Sequence, residues 1–389
     1  MAGSMRQRGR DAWQLRVYAG RDAQTGRKRY VERTVRGTKR EASKAIASLI
    51  VESERFTPQS GAKGTFEALL REWLDLAAPS FSPRTVSTTR QYIDTAIAPA
   101  LGAVPAAKLT ASDLDRFYGQ LLANGAGRFP YAPATVRRVH GIIRRALGQG
   151  VRWGWISHNP ALDVSPPRVP ARELSPPTPD ELVCLFRMAQ EVDPALAAFI
   201  LLAGSTGARR GELIALRWRD VDLDGELLTI SRGIVEADGE LIEKDTKTHQ
   251  TRRVSLDPDT TAALVAHRSW SEANAESAGT AISDDSFVFS HAPDGSTPWR
   301  PDSTSRAFRV LCMQAGVSGV RLHDLRHYVA TRLLSSGIDV RTVAGRLGHR
   351  NPATTLNVYA HFVPEVDGEA AGVLGDIFRK ALDTSGPSG

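Results

Sequence analysis

The chain has 389 residues, 41% hydrophobic and 24% charged, the balance of a soluble globular protein larger than one ordinary domain, so two or three domains are expected. No segment approaches the roughly 20 uninterrupted apolar residues of a membrane span, and the opening MAGSMRQRGRDAWQ has no apolar core after its basic residues, so a cytosolic protein is expected. The net charge of +7 is lopsided, with 14 Lys/Arg against 6 Asp/Glu in residues 1 to 55 and 36 against 37 in the rest; a basic arm suits nucleic acid, because each neutralised phosphate releases counterions, and a solubilising tail is the plain alternative.

WQLRVY (Trp13 to Tyr18) and RYVERTV (Arg29 to Val35) alternate apolar and polar residues on either side of the turn signal DAQTG, which predicts a hairpin. TKREASKAIASLIVES follows, with Thr38 as N-cap, Glu41 three residues on, and Ala42, Ala45, Ile46, Leu49 and Ile50 on one face, the pattern of a helix backing that hairpin. The exposed face of this small sheet is expected to carry Arg16, Arg27, Lys28, Arg29 and Arg33, and a β-ribbon is one of the shapes a DNA groove admits. Residues 1–57 are thus expected to form a first domain.

After the polar linker PQSGAKG the pattern turns helical, and residues 64–164 are expected to be an all-helical domain. TFEALLREWLDLA spaces Phe66, Leu69, Leu70, Trp73 and Leu74 along one face, Ser82 caps a helix with proline at its first position, and Thr110 with Asp113 opens another. APATVRRVHGIIRRALGQGV buries Val136, Val139, Ile143 and Leu147 and leaves Arg137, Arg138, Arg144 and Arg145 available for DNA. SPPRVPARELSPPTP, residues 165–179, has six prolines in fifteen residues and predicts an extended, stiff connector.

The last domain, 180–389, opens behind the capping box TPDE (Thr178 to Glu181) with a long apolar helical region through ALAAFILLAG. Short alternating strands around an ADG turn between Glu226 and Leu256 predict a small antiparallel sheet, and beyond it the pattern is helical apart from FVFS. EAAGVLGDIFRKAL sets Val373, Leu374, Ile377, Phe378 and Leu382 on one face of a tail helix, which packs in cis or docks on a neighbouring protomer. Cys184 and Cys312 lack the spacing of a zinc site or the density of a disulfide scaffold and read as buried small apolar residues. The expected fold class is multidomain and mostly α with small antiparallel β-sheets.

Four stretches of the last domain combine groups suited to holding a phosphate and moving protons around it. They are STGARRGEL (Ser205 to Leu213), DTKTHQTRRVSL (Asp245 to Leu256), RLHDLRHYVATRLL (Arg321 to Leu334) and LGHRNPATTLNVYAH (Leu347 to His361). Together they resemble the catalytic signature of the tyrosine recombinases, the phage integrase family: TGxR, a lysine in a β-hairpin, HxxR, LGH, and a tyrosine about ten residues later, all in family order. The resemblance covers residues 178 to about 365. Upstream, the sheet and the helical domain are similar in layout to the arm-binding and core-binding domains of arm-site integrases, and the resemblance implies an α+β catalytic domain.

The residue chemistry reads in parallel. Arginine offers a fork of permanent donors matched to two phosphate oxygens, so Arg209 and Arg326 suit a clamp on charge growing at the non-bridging oxygens. Arg210 is the neighbouring candidate, turned away by about 100° on a helix start, and an ion pair with Glu212 or Asp220 is the bland role for either arginine. His323 and His349 can donate to phosphate or relay a proton, and His361 fits a YxH pattern as support. By the resemblance, Lys247 is the general acid for the departing 5′ oxygen, with Lys244 as the false candidate beside it. Tyr359 is the nucleophile; its phenol ionises only near pH 10 unless clustered donors stabilise the phenolate.

The resemblance further implies a reaction without metal or nucleotide cofactor, in which Tyr359 forms a 3′-phosphotyrosyl link and frees a 5′-hydroxyl that later reverses the step on a new strand. It implies a homotetramer on double-stranded DNA with core and arm-type attachment sites, in a bacterial cytoplasm, with a host DNA-bending protein and an excision factor as further partners. Competing readings are a zinc site at HDLRH, where Asp324 would stand one methylene short of the protease glutamate, a non-catalytic DNA-binding regulator, a chromosome-dimer-resolving recombinase, and a topoisomerase IB.

Overall fold

The computed structural model describes residues 3–9, 11–21, 28–56, 64–127, 129–170, 176–245, 251–349, 351, 353 and 356. The chain is mostly helical with small antiparallel sheets, and it divides into two compact units, 1–171 and 172–389, inside the proline-rich stretch. Among the described residues, no helix is long and apolar enough to cross a membrane.

The first unit holds two separate apolar clusters. In the first, strands β1 (Ser4–Gly9), β2 (Ala12–Arg21) and β3 (Lys28–Arg36) form an antiparallel sheet in sequence order. Leu15 and Val17 point from β2 onto Ala42 and Leu49 of helix α1 (Lys39–Phe56), which Thr38 and Glu41 cap reciprocally. Strand β1 was not legible, since SMRQRG has no apolar alternation; it is held by backbone pairing along β2, and its charged side chains keep an edge strand from recruiting another chain.

The second cluster lies among α2 (Phe66–Ala77), α3 (Pro83–Tyr92), α4 (Ala111–Asn124) and α5 (Pro133–Arg152). Thr65, Ser82 and Thr110 cap the first three as their spacing predicts, and Phe66, Leu69, Leu70, Val136, Val139, Ile143 and Leu147 are fully buried. Helix α3 continues into a wide π-helical stretch, Ile93–Gly102, with Pro99 inside it, which no local apolar spacing marks.

The second unit begins with α6 (Pro179–Val192), capped by Thr178 and Glu181, and α7 (Pro194–Thr206). The expected apolar helical region consists of two helices, because Asp193 turns extended and caps Ala195 and Leu196 while Pro194 takes the first helical position. A short α8 (Arg210–Ile214) leads to β4 (Val221–Asp222), β5 (Leu227–Ile230), β6 (Arg232–Ala237), β7 (Glu240–Asp245) and β8 (Arg252–Ser255). The expected single sheet is likewise two: β4-β5-β8, and a β6-β7 hairpin that packs on α8 and on α10 (Pro301–Gln314). Its ADG turn has Asp238 and Gly239 at φ 52° and 83°, the positive pair that a two-residue hairpin turn needs.

Helix α9 (Pro258–Ser277) precedes α10, and α11 (Asp324–Ser335) and α12 (Val340–Leu347) follow it. Phe199, Trp218, Phe289 and Phe308 centre the main core, while Val329, Val343 and Leu347 lock α11 to α12. Cys312 is buried as expected, but Cys184 is exposed on α6, because the helix turns Leu185 and Ala189 inward instead.

Two substitutions test these assignments. Ile143→Ala is expected to destabilise the helical cluster by about 2–5 kcal/mol and Thr178→Ala to destabilise the second unit by about 1 kcal/mol; urea denaturation of each variant beside the parent, read by circular dichroism, measures both.

Candidate active site

Thr206 ends α7 by donating its hydroxyl to Leu202 C=O at 2.5 Å and accepting from Ala208 N–H at 3.2 Å. Gly207 then takes the left-handed conformation at φ 64°, where a Cβ would run into Leu347 and approach Val329. That turn delivers Arg209 to the N-cap position of α8. Its backbone N–H donates to Glu212 Oε2 at 2.8 Å, its Nη1 to Glu212 Oε1 at 2.7 Å, and its Nη2 to Gly348 C=O at 3.0 Å. The ion pair with Glu212 therefore exists, but not as a surface pair: the Glu212 side chain is only 4% exposed and Arg209 27%.

Arg210 turns the other way, donating to Ser305 Oγ and pairing with Asp302 across on α10, while Asp220 is held by Arg232 and the Arg217 N–H. Glu212 also accepts from Arg252 Nη2 at 2.6 Å. Burial works against its charge, but Arg252, through its hydrogen bond and its charge, together with Arg209 holds the carboxyl below the usual range.

His323, Arg326 and His327 fall one helical turn apart at the start of α11 and so share a face. Arg326 is buried and donates Nη1 to Gly207 C=O at 2.7 Å; its Nη2 is also buried and has no hydrogen-bond partner among the described residues. Burial first, then the nearby charge of Arg209, pushes its guanidinium down to about 9, so it stays charged at neutral pH. The rings of His323 and His327 meet edge to face at 5.0 Å. Although His323 is exposed as a residue, desolvation of the ring and the charges of His327 and Arg326 bring it down to about 4. Asp324 of the HDLRH stretch is occupied by Arg321, whose N–H, Nε and Nη2 all donate to its carboxylate. Among the described residues no group of three or more His, Cys, Asp and Glu side chains could hold a metal ion.

LGH is equally a folding unit. Leu347 is fully buried, Gly348 ends α12 at φ 69°, and the His349 N–H donates back to Ala344 C=O at 2.9 Å. A Cβ on Gly348 would lie 2.8 Å from Arg252 Nη1. Burial and the charges of Arg326, Arg209, His327 and Arg252 lower His349 to about 4, leaving a neutral imidazole near pH 7. Arg209, Arg326, His323 and His349 are thus brought together in one positive pocket with Glu212 as its buried counter-charge. Lys247, Tyr359, His361 and the tail stretch Glu369 to Leu382 lie outside the described residues.

The residues missed from sequence are Glu212 as a clamp, Arg252 and Arg346. Arg252 did leave a signal: it shares the inward strand register of Val254 and Leu256, and an arginine facing a core requires a partner.

Elsewhere, the basic sheet residues do not share one face. Register pairs Leu15 with Arg33 and Arg16 with Glu32, which sets Arg33 on the helix side and Arg16 on the outer side. Arg27 lies outside the described residues, and of Lys28 and Arg29 only the strand backbone is described. The outer face gains Arg6 and Arg8 from β1; Arg8 donates to Gln14, Gln14 to Glu32, and Arg16 bonds Glu32 and stacks 3.9 Å over Tyr30. On α5, Arg137, Arg138, Arg144 and Arg145 are all exposed, and the last two line a cleft with Trp73, Phe81, Arg152 and His158.

The sequence matches the profile of the phage integrase family over residues 178–365 and that of the phage integrase central domain over 66–166. The ICEBs1 integrase of Bacillus subtilis (strain 168) is 25% identical over 369 residues, 94% of this chain and 97% of that protein. A Tn1549 transposon integrase in complex with a circular intermediate DNA matches with TM-score 0.67 and 19% identity over 80% of this chain and 100% of that one. A lambda integrase dimer bound to a COC′ core site matches with TM-score 0.57 and 18% identity over 91% and 94%.

Two outcomes follow from the pocket. Gly348→Ala should destabilise the fold by about 1–2 kcal/mol through its left-handed backbone alone, with further loss from crowding Arg252, as thermal denaturation will read. Unfolded His349, with its ordinary value of 6.5, binds a proton that the folded site refuses down to about 4, so stability should fall as pH drops through that window. His349→Asn should flatten this slope, measured as denaturation midpoints across pH 4 to 7.

Proposed function

From the chain's membership of the phage integrase family, the tyrosine recombinases, we propose that this site-specific recombinase binds the scissile DNA phosphate between Arg209 and Arg326 and opens it with Tyr359. The observation that carries the reading is Arg326: a buried guanidinium whose Nη2 has no partner among the described residues, facing the same pocket as Arg209 and two neutral histidines. A phosphodiester supplies the oxygens such donors require, and donors fixed in advance stabilise the pentavalent transition state without reorganising.

In the proposed step the Tyr359 oxygen attacks phosphorus and the bond to the 5′ oxygen breaks. His323 and His349, neutral near pH 7, hydrogen-bond the non-bridging oxygens and relay the phenolic proton, and Lys247 protonates the departing 5′ oxygen. The product is a 3′-phosphotyrosyl ester, whose energy is kept for rejoining to another 5′-hydroxyl. The proposed step uses neither metal nor nucleotide. The names of the ICEBs1 and Tn1549 relatives support service to an integrating mobile element. In this reading four protomers exchange two duplexes, in the cytoplasm of a bacterium. In this reading residues 1–57 bind arm-type sites through Arg6, Arg8 and Arg16, residues 64–164 bind core DNA through Arg137, Arg138, Arg144 and Arg145, and 180–389 carry the chemistry.

A duplex spanning the attachment core of the element, nicked beside the cleavage point, is expected to trap a covalent protein-DNA adduct whose peptide maps to Tyr359, in EDTA as without it. No adduct would leave only a DNA-binding regulator. Tyr359→Phe should bind the duplex and form none. Arg209→Lys and Arg326→Lys should each slow adduct formation by about 100- to 1000-fold, because a point charge cannot replace the fork. Removing residues 1–55 should spare adduct formation but impair integration into a target plasmid.

A further inference from the structure

Two arginines outside the five motifs join β8 to α12. Arg252, only 9% exposed, donates Nε to Arg346 C=O at 3.0 Å and Nη2 to Glu212 Oε2 at 2.6 Å. Arg346 returns the contact: its Nη2 donates to Ser255 C=O at 3.1 Å, at the other end of β8, and to Ser205 C=O at 3.0 Å, in the last turn of α7. The clasp is therefore reciprocal, each guanidinium reaching a backbone carbonyl on the other's element.

Its chemistry follows from the end of a helix. The last carbonyls of α12 have no partner inside the helix and carry its negative partial charge. Arg252 takes the carbonyl of residue 346 and Arg209 that of residue 348, so two guanidinium groups cap one helix end side by side. Among the described residues the Arg209 guanidinium hangs between two anchors, Glu212 Oε1 and Gly348 C=O. Arg252 grips both of them, the carboxylate through its other oxygen and the Gly348 turn by direct packing.

We propose that Arg252 and Arg346 are positioning residues for strand cleavage: their clasp fixes Glu212 and the end of α12 so that Arg209 and His349 meet the phosphate in one register. This rests on the phosphate-binding reading above. The clasp also sets the field at His349, which faces Arg326 and His327 from α11, Arg209 from the turn before α8, and Arg252 from β8, with Glu212 as the nearby buried acid and Arg346 on its own helix.

The test uses the full chain and the variants Arg252→Gln, Arg252→Lys, Arg346→Met and Arg252→Gln/Arg346→Met. On the nicked duplex at saturating DNA, Arg252→Gln and Arg346→Met should each slow adduct formation by about tenfold or more, with the Kd for DNA within about twofold of the parent. The double variant should be no slower than the worse single one, because both remove the same clasp. In NMR titrations of the free protein, Arg252→Gln should raise the His349 midpoint and Arg252→Lys should leave it near the parent's while its cleavage stays slow, separating geometry from charge. Arg346→Met melting with the parent and cleaving within about twofold of it would overturn the proposal, as would rate losses that multiply in the double variant. If the parent itself forms no adduct, the recombinase reading fails, and an unchanged His349 midpoint in Arg252→Gln overturns the inference independently.

Discussion

One buried carboxylate makes the site physically possible. A pocket that stabilises a phosphorane must concentrate positive charge before substrate arrives, and guanidinium groups placed side by side out of water repel one another and resist burial. Glu212 answers both problems from the first turn of α8. It accepts from Arg209 and Arg252 and lies close enough to Arg326 to favour its charged form, so three arginines from three elements converge around a single acid. Because its two oxygens are divided between Arg209 and Arg252, neither guanidinium is neutralised completely, and the pocket keeps a net positive field for an anion.

Two glycines set where that charge can stand. Gly207 and Gly348 each end a helix in the left-handed conformation, and each offers its carbonyl to an arginine of the other half of the site: Gly207 to Arg326, Gly348 to Arg209. The TG and LG parts of the motifs are thus backbone devices. They bring the turn after α7 within reach of Arg326 and the end of α12 within reach of Arg209, with Leu347 and Val329 filling the space a side chain at Gly207 would have needed and Arg252 that at Gly348.

Most of the architecture was legible because it is locally encoded. Capping pairs such as Thr178 with Glu181, the apolar faces of α2 and α5, and the ADG turn each act over a few residues, within reach of a sequence pattern. What was not legible depends on partners far along the chain. Strand β1 exists because β2 offers it a backbone edge, the β6-β7 hairpin leaves the sheet because α8 and α10 receive it, and Arg33 parts from Arg16 through a register no single strand reveals. In the site, Arg209, Arg326, His323 and His349 were legible as motif residues, whereas Arg252 and Arg346 act on carbonyls 94 and 91 residues away and carry no local signature beyond the inward register of Arg252.

The buried, half-satisfied guanidinium of Arg326 has a thermodynamic consequence. A donor withheld from water without a partner lowers the stability of the folded state, and an anion that reaches it restores that loss only in the folded protein. Under the proposed phosphate-binding role, occupancy of the pocket and stability of the second unit are linked: the domain is expected to melt more easily when idle than when engaged on a phosphate. Resistance to unfolding then becomes a reporter of substrate contact, since in that reading the fold is completed only by the anion it acts on.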